Sequence, residues 1–103
     1  MLPLPSVLPA LLFATAAVAS PPPKPARLGF CAACHGENGV ATAAGIPHLA
    51  AQDREYLAAA LRQYRNGDRT ATPMRTAAGA LSDADIDALA AWYAAQPRDG
   101  AAR

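Results

Sequence analysis

The sequence predicts an all-α fold built around a single small core. Three observations carry this. After residue 19 there are one Val, two Ile and four Thr, with no alternating run long enough for a strand. Ala, Leu and Arg, all good helix formers, dominate the same stretch. Three segments carry helix caps or stops at their ends. The 103 residues suffice for one domain, and 28 of them are Ala. Beyond residue 19 only 15 side chains are large and apolar or aromatic, which makes a thin core for so short a chain. Something other than side chains is needed to complete the interior. The net charge of +1 gives no reason to expect nucleic acid or an anionic membrane as partner.

Residues 1–19 read as a secretory signal. The run from Val7 to Ala19 is apolar apart from Thr15 and is interrupted only by Pro9. It is too short to span a bilayer, which takes about 20 residues. Ala17-Val18-Ala19 has the small-x-small pattern of a signal peptidase site, although no Lys or Arg precedes the apolar run. An uncleaved N-terminal anchor is the alternative. Residues 20–25, Ser-Pro-Pro-Pro-Lys-Pro, form a polyproline spacer. The folded domain is expected over residues 26–97, followed by a tail at 98–103. Export to the periplasm places Cys31 and Cys34 in an oxidising compartment.

The first helix is expected from about Pro25 to Cys34 or His35, with Gly36 as a left-handed stop. The second starts at an Asp53 N-cap and ends at Asn66-Gly67, with Tyr56, Leu57, Ala60, Leu61 and Tyr64 forming one apolar stripe. Tyr56 and Tyr64 are therefore expected to pack in the core. The third starts at Ser82, with Asp85 completing a capping box, and Asp83, Asp85 and Asp87 lie near the positive end of its dipole. Ile86, Leu89, Ala90 and Tyr93 face one way, Trp92 widens the stripe and Pro97 marks the end. Residues 36–52 and 68–81 are expected to be loops.

The chemical signal is Cys31-Ala32-Ala33-Cys34-His35, the attachment sequence for c-type haem. Three apart on a helix, the two sulfurs share a face and reach the two vinyl groups of one haem, and the His35 ring can reach the iron between them. Three other readings compete. A thioredoxin-like CxxC needs a βαβ context. A structural zinc site needs a second ligand pair, yet His48 is the only other His and there is no other Cys. A disulfide would close a tiny loop and leave His35 unexplained. For the sixth ligand, Met74 is the only Met beyond the signal and is expected in a loop after Pro73, whose fixed φ helps to hold the thioether. A Met filling a gap in the core is the alternative. His48 is expected at the surface. Arg65 and Arg69 are candidates for pairing with haem propionates, or are solvated helix-end cations.

GFCAACHGENG, IPHLAAQDREYLAAALRQYRNGDR, PM and LSDADIDALAAWYAAQ occur in that order, and over residues 28–96 the chain resembles a small bacterial class I cytochrome c. The likeness is to the single-haem periplasmic type or to one half of a dihaem type. It implies a helical domain wrapped around one covalent haem c. It also implies that the Pro47 carbonyl accepts the His35 ring N–H, that Leu49 packs on the haem, and that Gly29 or Phe30 crosses Leu89 and Trp92 of the last helix. The function implied is electron transfer with His35 and Met74 as axial ligands, no catalysis, and transient redox proteins as partners. The alternatives are a sensor or peroxidase-like protein with an open sixth position, or a tethered electron-entry subunit of a larger oxidoreductase.

Overall fold

The computed structural model describes residues 1–15 and 20–99. The expected cleavage site at Ala17-Val18-Ala19 and most of the 98–103 tail lie outside the described residues. Residues 1–15 form no regular element and are exposed. Among the described residues there are four helices and no strand: α1 Leu28–His35, α2 Arg54–Asn66, α3 Thr72–Gly79 and α4 Asp83–Ala94.

α1 begins three residues later than expected. Pro25 accepts the Leu28 N–H through its carbonyl at 3.2 Å and forms a turn, so the polyproline segment runs up to the helix without entering it. α2 starts where Asp53 accepts the Tyr56 N–H at 2.8 Å and stops at Gly67, whose φ of 92° is left-handed. α4 opens with a complete capping box. Ser82 Oγ accepts the Asp85 N–H and Asp85 Oδ2 accepts the Ser82 N–H, both at 3.0 Å.

α3 is a correction, because residues 68–81 were expected to be a loop. Pro73 stands in the first turn, where its missing N–H costs nothing and its fixed φ suits a helix. The helix has only eight residues, too few for its apolar stripe to stand out in the sequence. Met74 therefore sits on the first turn of a helix and not in a loop.

α2 packs against both α3 and α4. The core cluster comprises Leu28, Leu57, Leu89, Ala90 and Tyr93, and Cys31, Ala32, Leu49, Leu61, Leu81 and Trp92 pack against it. Leu28, Ile86 and Leu89 are the largest fully buried side chains. Each contributes about 1.5–3 kcal/mol, more than any exposed ion pair on this surface. The crossing of α1 over α4 is a second correction. It is made by Leu28 and not by Gly29 or Phe30: Gly29 faces open space and Phe30 is 69 % exposed. With α1 shortened by the prolines, Leu28 is its one residue inside the cluster, and Cys31 and Ala32 pack against it from outside.

Tyr56 and Tyr64 are a third correction. Tyr56 is half exposed, and the two rings take the Arg69 guanidinium between them at 5.7 and 5.5 Å from their centroids. Across α2 and α4, Arg62 pairs with Asp87 at 2.9 Å and Arg65 with Asp83 at 2.7 Å.

Candidate functional site

The last turn of α1 carries Cys31, Cys34 and His35. No disulfide joins the two cysteines, and Cys31 is half-buried and Cys34 exposed. Burial pushes the Cys31 thiol above its ordinary pKa. His35 is only 7 % exposed, so its ring nitrogens must be accounted for. Nδ1 lies 3.0 Å from the Pro47 carbonyl oxygen. A carbonyl only accepts, so Nδ1 carries the proton and Nε2 keeps its lone pair. That tautomer is the one a metal takes through Nε2, with orientation fixed by the bond at Nδ1.

The loop between α1 and α2 presents Pro47. It leaves α1 at Gly36, whose φ of 80° and ψ of 152° belong to a region that glycine alone populates freely. Gly39 then folds the loop onto itself, its carbonyl accepting the N–H groups of Leu49 at 2.7 Å and Ala50 at 3.0 Å. A Cβ at Gly39 would stand 2.6 Å from Ala50 N, so no other residue fits. Between these points His48 Nδ1 accepts the Ala41 N–H at 2.8 Å, and His48 itself is exposed. Leu49 is half-buried against the core cluster.

Met74 is half-buried on α3, which rests on α2. Of the two candidate arginines, Arg65 is committed to Asp83 and to the Leu81 carbonyl at 3.2 Å, which ties the end of α2 to the start of α4. Arg69 donates through Nε to Gln63 Oε1 at 2.8 Å between the two tyrosine rings.

The competing readings of Cys31 and Cys34 find no support. There is no strand for a thioredoxin-like unit, and no group of three or more His, Cys, Asp or Glu suits a metal ion, among the described residues. Two cysteines three residues apart and outside any disulfide, followed by an imidazole already in the ligand tautomer, are the donor set of a c-type haem. Sequence reasoning missed what holds this site together. Trp92 Nε1 donates to the Glu37 carbonyl at 2.8 Å and Tyr93 Oη to the Gly36 carbonyl at 3.0 Å. An aromatic with a polar tip on the last helix was the only available signal, and it does not name a partner.

The family described as Cytochrome C oxidase, cbb3-type, subunit III matches residues 27–92. Cytochrome c-554(548) of Halomonas halodenitrificans is 40 % identical over 73 residues, covering 68 % of this chain and 88 % of that one. Cytochrome c4 of Pseudomonas aeruginosa is 37 % identical over 71 residues, covering 69 % of this chain and 35 % of that one. A thiosulfate dehydrogenase electron acceptor of Thiomonas intermedia is 41 % identical over 70 residues, covering 65 % and 32 %. The chain thus spans about a third of the length of these last two relatives. The crystal structure of reduced cytochrome c4 from Pseudomonas stutzeri superposes with a TM-score of 0.61 at 38 % identity, covering 65 % of this chain and 38 % of that one.

Proposed function

We infer, from the premise that this chain belongs to the class I c-type cytochromes and carries one covalent haem c, that it is an electron carrier with His35 and Met74 as axial ligands. The observation that carries this reading is the His35 ring, buried, with its Nδ1–H given to Pro47 and its Nε2 left for iron. Haem c supplies one-electron chemistry between ferric and ferrous iron. Cys31 and Cys34 hold it covalently, and the Pro47 carbonyl keeps the His35 ring basic and in one orientation. The soft thioether of Met74 favours the ferrous state and raises the potential. If His35 and Met74 both held the iron, it would have no open position for a substrate, which supports a carrier and not an enzyme. Its partners are transient redox proteins. A relative named as an electron acceptor for thiosulfate dehydrogenase supports a dehydrogenase as the class of donor.

We place the protein in the periplasm, with residues 1–19 removed after Ala19. No helix among the described residues is long and apolar enough to cross a membrane. The mass of the exported protein tests both cleavage and the addition of one haem. Met74→Ala tests the ligand set. It is expected to abolish the weak far-red band of sulfur-ligated ferric haem, to lower the potential and to let the ferrous form bind carbon monoxide rapidly. An unchanged spectrum and potential would reject Met74. Carbon monoxide binding by the unsubstituted protein would favour a sensor or peroxidase-like role.

A further inference from the structure

Two adjacent residues of α4, Trp92 and Tyr93, hold the start of the α1–α2 loop with their side chains and its far end with a main-chain carbonyl. Trp92 Nε1–H donates to the Glu37 carbonyl at 2.8 Å. Tyr93 Oη donates to the Gly36 carbonyl at 3.0 Å, an oxygen that also accepts the Gly39 N–H at 3.2 Å. At the far end of the loop, the Tyr93 carbonyl accepts the Ala51 N–H at 3.1 Å. Between them the Tyr93 ring lies against Gly39, where a Cβ would stand 2.8 Å from Cδ1. Tyr93 is 3 % exposed, and burial raises its hydroxyl pKa, so it remains a donor throughout the working pH range.

These contacts bracket Pro47 along the loop and begin immediately after His35. Gly36 is the residue directly after it, and Pro47, its ring partner, lies within the span from Gly36 to Ala51. We propose that Trp92 and Tyr93 are positioning residues that set the orientation of the His35 imidazole, by fixing both the end of α1 and the loop that presents the Pro47 carbonyl. This rests on His35 being an axial ligand. Neither aromatic touches the iron. Each acts through main-chain oxygens, and releasing either lets the Nδ1–H···O bond open more often.

The test is proton NMR on the haem-loaded protein, following exchange of the His35 Nδ1–H and of the Leu57 and Leu61 amides in α2. Tyr93→Phe keeps the ring on Gly39 and removes only the hydroxyl, while Trp92→Phe removes the indole N–H together with part of the ring that packs on the core, a loss of packing that the α2 amides register. Each is expected to accelerate exchange of the ring proton about five- to tenfold, the factor for one neutral hydrogen bond, while the α2 amides keep their rates in Tyr93→Phe and accelerate by less than the ring proton in Trp92→Phe. The potential rises in both variants because a less firmly bonded imidazole is less basic. The proposal is overturned if the ring proton exchanges as before, or if the α2 amides accelerate by the same factor, which marks global destabilisation alone. Trp92 is only half-buried, so Trp92→Phe carries the test should Tyr93→Phe yield no folded protein. Absence of an iron-induced shift on the His35 ring in the unsubstituted protein would instead remove the ligand assignment, and this proposal with it.

Discussion

Two glycines ten residues apart are expected to respond in opposite directions to the same added methyl group. At Gly39 the backbone has φ +77°, and a Cβ would meet Ala50 N at 2.6 Å, Tyr93 Cδ1 at 2.8 Å and Ala50 Cα at 3.1 Å. Two of those atoms are backbone and cannot rotate away. The left-handed conformation costs an L-residue about 1–2 kcal/mol, and overpacking of this kind adds about 1–3 kcal/mol. Gly39→Ala should therefore lose about 2–5 kcal/mol, a large share of what a small domain has. At Gly29 nothing lies within 4 Å and the residue is inside α1. There Ala is the better helix former, and Gly29→Ala should gain about 0.5–1 kcal/mol. Denaturant unfolding of the haem-loaded variants, followed by circular dichroism at fixed pH, gives both values. For a domain of this size the Gly39 variant should melt on the order of 10–30 °C lower. A Gly39→Ala protein as stable as the parent would refute the tight loop geometry, and a destabilised Gly29→Ala would refute the open face of α1.

Leu28→Ala is expected to cost about 2–5 kcal/mol because Leu28 is the one fully buried apolar side chain that α1 puts into the core, while Phe30→Ala, at an exposed position, should change stability little; equilibrium unfolding separates the two. Ser82→Ala removes the α4 cap and should cost about 1 kcal/mol by the same assay. The Asp85 carboxyl is held below the usual carboxylate range by its hydrogen bonds with Ser82, backbone first and side chain second. A lowered folded-state pKa gives stability that is present above the unfolded value of about 4 and is lost as pH falls through the folded one. Acid unfolding of Asp85→Asn should accordingly be less steep below about pH 4 than that of the parent; an identical profile would remove Asp85 from the acid response.

α2 and α4 were legible because their signals are local. Asp53 and Ser82 cap within three residues of themselves, and Gly67 marks a stop by its own conformational freedom. α3 was not, because Pro73 is equally at home in a turn and in a first helical turn, and eight residues are too few to show a period. The roles of Tyr56 and Tyr64 were misread for a related reason: a stripe at helical spacing shows which residues share a face, not that a guanidinium three residues beyond the helix will occupy it. Leu28 was passed over in favour of its neighbours because the point where a shortened helix meets α4 depends on where the prolines release it. At the site, the CxxCH spacing and the histidine were readable from chemistry alone. The bonds from Trp92 and Tyr93 were not, since they join residues 55 and 57 positions apart and end on carbonyls that every residue possesses.

That last property bears on Glu37, which serves two neighbours by two different parts of itself. Its carboxylate meets Lys24 at 2.7 Å, where both side chains are largely exposed, and its carbonyl receives the indole. Replacing the side chain would remove this exposed ion pair, worth about 0–1 kcal/mol, and leave the indole anchored. The ion pair on the lead segment is thereby separable from the integrity of the body, and the side chain at residue 37 is open to redesign without touching the carbonyl that receives the indole.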